Sequence, residues 1–202
     1  DPIEKEKMIH LVNNNKRFEF KFNSIDEISI SDYLELANIY FQFPHLHFCA
    51  LVIDTESPLF DFKKYFTSSW EAYIGYSKML VRNNYSASEK MAVIADYVQM
   101  AHGSTKYFER EMNLVQNIFN TCRVESDASL FIQMVDVLLG AVVYDFKIKA
   151  GIIGKEDPNF PKTRLLIEIR KYLNRKNLAE NFTAHTPNYF SVWPFKNIPK
   201  TN

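Results

Sequence analysis

The sequence predicts an α/β fold, a mostly parallel sheet with helices on both faces, and three observations carry that expectation. Helical and strand-like patterns alternate through residues 1–150 in the order α-β-α-β-α-β-α-β-α, at the spacing βαβ units need. Two runs of strand length, His47–Asp54 and Lys90–Asp96, are almost continuously apolar, as strands covered on both faces are, and each ends on an aspartate. The stretch Ser126–Lys149 has a helical pattern that is apolar on almost every side from Leu130 to Val143, which marks it for the interior.

Each element has its own local reason. Pro2–Asn14 carries an imperfect helical face of Ile3, Met8, Ile9, Leu11 and Val12. Arg17–Phe22 alternates Phe18, Phe20 and Phe22 with charged residues, the pattern of a strand with one face on a core. A helix follows from Ser31, with Ser31 or Asp32 as cap, and Pro44 ends it. Thr55–Pro58 is a loop, and Phe60–Asn83 a helix with Trp70, Tyr73, Tyr76 and Leu80 along one side. His102-Gly103 breaks the chain before a helix over Ser104–Asn120 and a short strand over Thr121–Glu125. The long apolar helix takes its cap from Ser126–Ser129 and closes at Gly151. Beyond it lie a loop through Pro158 and Pro161, a basic helix over Thr163–Lys176 and an aromatic tail ending in Phe195.

A chain of 202 residues, 47% hydrophobic, suits a single domain, with residues 152–202 as a basic C-terminal extension. Net charge is zero but unevenly placed. Residues 1–144 hold 13 Lys and Arg against 19 Asp and Glu, and residues 145–202 hold 11 against 5. Zero net charge thus excludes nucleic-acid binding by bulk charge, while binding by a local patch stays open. Cys49 and Cys122 lie in apolar runs, as buried reduced thiols of a cytoplasmic protein do. No signal peptide or membrane span is visible, since Gln133 and Asp136 interrupt the longest apolar run. Five glycines leave no phosphate-cradling loop, His45 and His47 lack a third metal ligand, and no nucleophile–histidine motif appears.

Asp136 draws attention on its own helix. Gln133, Asp136, Gly140 and Tyr144 interrupt the apolar pattern at i, i+3, i+7 and i+11, one line down one face. A carboxylate in such a setting needs a cationic partner, a metal ion or a proton. Three more carboxylates are candidates: Glu19 on the outward face of its strand, and Asp54 and Asp96 at strand ends, where α/β sheets gather functional groups. Carboxylates are the ligands Mg²⁺ prefers, and two such ions can drive phosphodiester cleavage. Each residue also has an ordinary explanation: an ion pair of Glu19 with Lys21, turn or cap roles for Asp54 and Asp96, a salt bridge for Asp136 to Arg17 or Arg123. The run Arg164, Arg170, Lys171, Arg175 and Lys176 could track a phosphate backbone or form a solvated face.

The run Ser126…Gln133-x-x-Asp136-x-x-x-Gly140 resembles the C-terminal signature of a widespread bacterial and phage family of unknown function. Glu19-Phe20-Lys21 is similar to that family's Glu-x-Lys strand, and Phe190-x-x-Trp193-x-Phe195 to its terminal Phe-x-x-Trp-x-Phe. The order and separations agree over most of residues 5–195. The resemblance implies a ribonuclease H-like fold and Mg²⁺- or Mn²⁺-dependent phosphodiester hydrolysis of nucleic acid. Carried over by position, Glu19, Asp96 and Asp136 would be catalytic and would hold metal, with Asp54 as a further ligand. Lys21 would meet a phosphate or brace the carboxylates, and Gln133 would orient Asp136 on the substrate side. The family's opening strand, Tyr-x-Asp-Glu-Ser-Gly, has no match before Glu19; Asp54-Thr55-Glu56-Ser57 comes too late. The expectation is an opening hairpin missing from this chain, or a degenerate member. Two functions follow: a metal-dependent nuclease, and a non-catalytic module binding nucleic acid or protein, with homodimerisation left open.

Overall fold

The computed structural model of the chain describes residues 19–55, 57, 62–84 and 89–195. They form helices α1 (Ile30–Gln42), α2 (Ser69–Arg82), α3 (Phe108–Asn113), α4 (Leu130–Lys149) and α5 (Pro161–Tyr172). The strands are β1 (Phe48–Val52), β2 (Met91–Asp96), β3 (Ile118–Val124), β4 (Phe182–Ala184) and β5 (Phe190–Pro194). The expected α/β content is present, but the strands make two small sheets rather than one. One is three-stranded in the order β1-β5-β4, and the other is the parallel pair β2-β3. The chain divides into two compact units, Asp1–Ala50 with Ser129–Trp193 and Leu51–Ala128 with Pro194–Asn202. The helix expected over Pro2–Asn14 lies outside the described residues.

In the first unit, α1 starts upstream of the expected cap. The Asp26 carboxylate accepts from the backbone N–H of Ile28 (3.0 Å) and Ser29 (2.8 Å) and from the Ser29 hydroxyl (2.7 Å), fixing the turn that leads into Ile30. At its other end, buried Asn188 donates its side-chain amide to the carbonyls of Tyr40, Phe43 and Leu46, so the orphan acceptors of the last turn are satisfied from a distant segment. Phe48 N–H donates to Tyr189 O at 2.9 Å, and β4 pairs antiparallel with β5. β1 is therefore an edge strand, not the covered centre the sequence predicts. The middle place belongs to the aromatic tail, whose Phe190 packs on Phe48 (4.5 Å between centroids) and parallel to Phe182 (6.0 Å). With Leu165, Leu166 and Ile169 of α5 fully buried as well, the expected basic extension supplies core to this unit. α5 opens on Pro161, a residue whose fixed φ suits a first helical turn, and Asn174 at φ +51° lies just past its end.

Helix α4 begins and ends close to expectation. Ser129 Oγ accepts from Ile132 N–H (3.4 Å), and Gly151 at φ +71° turns the chain so that its own N–H and that of Ile152 reach the carbonyls of Ile148 and Lys147. The helix is not buried all round, however: Phe131, Val135, Asp136 and Leu139 are exposed. Its interior charge is Asp145, which the sequence pattern did not single out. Asp145 accepts from Arg170 Nη2 at 2.6 Å and from Leu178 N–H, while Arg170 also bonds Glu156 at 2.7 Å.

In the second unit, Ser68 caps α2 by accepting from Glu71 N–H (3.2 Å), and Glu71 reaches back to Thr67 N–H (3.1 Å). Lys106 and then Thr67, bonded to the same carboxylate, hold Glu71 down at about 2. This cap places the start of α2 well inside the helix expected from Phe60. Trp70, Ile74, Phe108, Met112, Val115 and Ile118 form the core. The long helix expected over Ser104–Asn120 is instead six-residue α3, because Asn117 at φ +70° turns the chain into β3. β2 and β3 run in register from Ala92↔Asn120 to Asp96↔Val124. The core lies on one face only. Ala92, Ile94 and Asp96 point to the exposed face, so the expected cover on both sides is absent here among the described residues. Neither Cys49 nor Cys122 is in a disulfide. Burial pushes the Cys49 thiol up to about 11, whereas Cys122 is exposed, against the expectation of two buried thiols. Among the described residues no helix is long and apolar enough to cross a membrane.

Replacing Asp145 by alanine leaves half-buried Arg170 with Glu156 in place of two carboxylate partners and Leu178 N–H without its acceptor. The expected loss is about 3–5 kcal/mol of unfolding free energy, measured by urea denaturation.

Candidate functional site

The four-residue line on α4 has a structural purpose that its spacing did not reveal. It receives the segment Phe20-Lys21-Phe22, which runs extended (Lys21 φ −129°, ψ 132°) without belonging to a strand. Gln133 Oε1 accepts from Phe20 N–H at 2.9 Å, and Asp136 Oδ2 accepts from Phe22 N–H at 2.9 Å. Between them, the Tyr33 hydroxyl of α1 accepts from Lys21 N–H (3.2 Å) and donates to Lys21 O (2.8 Å). Burial pushes the Tyr33 phenol up to about 12, which keeps it neutral and able to donate. Two residues of extended chain advance about 6.6 Å and one helical turn about 5.4 Å. That match lets every second amide meet a side chain one turn further along α4.

The lower half of the line accommodates the side chain that follows. A Cβ built at Gly140 would collide with Cβ and Cγ of Phe22 and lie 2.8 Å from its Cδ1, so only glycine leaves room for that ring. The ring then meets Tyr144 at 5.7 Å between centroids, and Tyr144 bonds buried Thr163 on α5 at 3.3 Å. Phe20, on the same side of the segment, packs edge-on against Tyr33 at 5.2 Å. After Phe22 the chain turns through a 3₁₀ segment, Phe22–Ser24. The strand expected over Arg17–Phe22 is thus replaced, in its described part, by a segment held by side chains.

Beside this contact lies an open groove of about 390 Å³, lined by residues that include Asp136, Leu139, Val143, Lys147, Ile153 and Lys162. Asp136 is exposed; one oxygen is fixed by the Phe22 amide, and Oδ1 has no hydrogen-bond partner among the described residues. Lys162 holds its ammonium 5.5 Å from the centroid of the Phe22 ring. Neither Lys147 nor Lys162 forms an ion pair among the described residues. Sequence reasoning passed over both lysines; their only signal was a place near the line on α4 and at the start of α5.

The remaining candidates are placed differently. Glu19 and Lys21 pair with each other at 2.9 Å on the outward side of the segment, with 30% and 51% of their side chains exposed. Gln133 is buried under Phe20, so it anchors backbone rather than facing a substrate. Asp54 and Asp96 belong to the second unit, where both are exposed, and Asp96 Oδ1 accepts from Tyr97 N–H at 3.0 Å. Of the expected basic run, Arg164, Arg170, Lys171 and Arg175 are paired with Glu27, Asp145, Glu168 and Glu180. Among the described residues no three His, Cys, Asp or Glu side chains cluster to hold a metal ion. A single Mg²⁺ that takes one carboxylate, with water and phosphate oxygens completing its shell, fits Asp136. A two-ion site needs acidic neighbours that the described part of this unit does not set beside it.

Substituting Gly140 by alanine forces Phe22 off the helix and is expected to cost about 1–3 kcal/mol. In a double-mutant cycle with Phe22→Ala the two losses are expected to be clearly less than additive, because the second change removes the ring the first collides with.

Comparison with protein-family models, with characterised proteins and with solved structures gives no significant match.

Proposed function

We propose that the chain is a metal-dependent nuclease, of the ribonuclease H-like type that its motifs resemble, with Asp136 as its central acidic group. The observation that supports this most is the state of Asp136: exposed, set in one orientation by the Phe22 amide, and sharing a groove with two lysines that form no ion pair among the described residues. A carboxylate fixed in advance costs little to reorganise when a cation arrives. Asp136 would hold a divalent ion whose bound water supplies the nucleophile at neutral pH. Lys147 and Lys162 would balance the phosphate charge at the groove.

A second reading, a non-catalytic module that binds nucleic acid or protein, is favoured by one observation. Glu19 pairs with Lys21, and among the described residues no three His, Cys, Asp or Glu side chains gather where a metal ion could be held. The same groove would then bind without cutting.

Asp136→Asn separates the readings from each other and from a purely structural role. Asparagine keeps an oxygen for the Phe22 amide, so stability is expected to stay within about 0.5 kcal/mol of the parent. Mg²⁺- or Mn²⁺-dependent cleavage of nucleic acid is expected to fall by about 10²–10³-fold. Parent protein that binds oligonucleotides but never cleaves them with either metal supports the binding module instead.

A further inference from the structure

The charges of the first unit are sorted in a way that bears on what its groove holds. Ten Lys and Arg side chains lie among its described residues. Lys21, Arg164, Arg170, Lys171 and Arg175 are in ion pairs, and Lys149 donates to Ala179 O at 2.7 Å. Lys147, Lys155, Lys162 and Lys176 remain, and two of these four line one groove. Lys147 stands about 16 Å along the α4 axis from Asp136, at 1.5 Å per residue. Between them the groove is lined by Leu139, Gly140, Val143, Tyr144 and the Phe22 ring, with Asn23 and Ile153 also on its wall, so apolar patches alternate with polar groups.

We infer that this groove accepts a short single-stranded stretch of nucleic acid and rejects a duplex, with phosphates at Lys147 and Lys162 and base faces against Leu139, Val143 and Ile153. The inference rests on the nucleic-acid reading above and adds the strandedness of the substrate. A duplex keeps its base faces stacked inside and offers a protein mainly phosphates, which strong duplex binders neutralise about six to ten at a time. Two lysines cannot replace that number. A single strand exposes base faces, and burying them against the apolar patches of the wall adds affinity that salt does not screen. The volume of the groove also falls within the range of about 300–1,000 Å³ typical of sites that enclose small organic groups. Asp136 opposes phosphate when no cation is present, so its end of the groove favours anions only with a metal bound.

The test is fluorescence anisotropy in EDTA with labelled single-stranded DNA and RNA oligonucleotides and the matching duplexes. Single strands are expected to bind with a log–log salt slope of about −1.4, from about 0.7 per phosphate contact, which is a loss of about sevenfold between about 50 and about 200 mM salt. Lys147→Gln and Lys162→Gln should each flatten the slope by about 0.7. Asp136→Asn should bind at least as tightly as the parent in EDTA, and thermal melts of the three single variants and of the double lysine variant confirm that they fold. Duplex binding as tight as single-strand binding overturns the inference, as does an unchanged slope in the double lysine variant. So does an acidic peptide that competes as well as the single strand. Single-strand binding with no metal-dependent cleavage keeps the inference and removes the nuclease. Asp136-dependent cleavage confined to duplex keeps the nuclease and removes the inference.

Discussion

Three consecutive backbone N–H groups in the described start of the chain, those of Phe20, Lys21 and Phe22, are bonded to side chains instead of to a neighbouring strand. Buried amides demand acceptors, and a segment outside a sheet must find them elsewhere. Gln133 and Asp136 from α4 and Tyr33 from α1 meet that demand. Much of what is unusual on α4 follows from it: a glutamine and an aspartate one turn apart on an apolar helix, and then a glycine where the Phe22 ring lands. The contact also fixes Asp136 in place, so a structural duty and a chemical opportunity fall on the same carboxylate.

The pairing of charges decides where chemistry has room. The half-buried arginines of the first unit, Arg164, Arg170 and Arg175, are bound to carboxylates, Arg170 to Asp145 at 2.6 Å, where desolvation makes an unpaired charge costly. Among its described residues the basic C-terminal quarter therefore does not form the continuous cationic track that its composition suggests. What stays open is local: Lys147 and Lys162 line one groove with Asp136, Lys147 about three turns along α4 from that carboxylate. Such a groove has the means to hold a phosphate without strong non-specific attraction to nucleic acid, which agrees with a net charge of zero.

The parts of the fold that were legible in the sequence are those governed by local chemistry. Gly151 ends α4 as its position suggests, and strands appear within His47–Asp54 and Lys90–Asp96. The line Gln133, Asp136, Gly140 and Tyr144 was visible as a line, but its meaning was not, because its partner Phe20–Phe22 lies more than a hundred residues away. Periodicity likewise marked α4 as buried all round, whereas Phe131 and Val135 are exposed; an apolar pattern shows what a face could cover, not whether it is covered. Asp145 was overlooked because near the polar end of a helix a carboxylate looks solvated, and its partners, Arg170 and Leu178, are again distant in sequence. Asn117 converted an expected helix into a turn through a single left-handed residue, which no helical pattern excludes.

The central claim, that α4 holds the Phe20–Phe22 segment through side-chain acceptors, is tested most directly by residue-resolved amide hydrogen exchange. The account expects the Phe22 amide to be strongly protected in the parent, to stay protected in Asp136→Asn, and to lose protection in Asp136→Ala while Phe20, bonded to Gln133, keeps its own. Exchange at Phe20 and Phe22 in the folded parent as fast as in an unstructured peptide would contradict it.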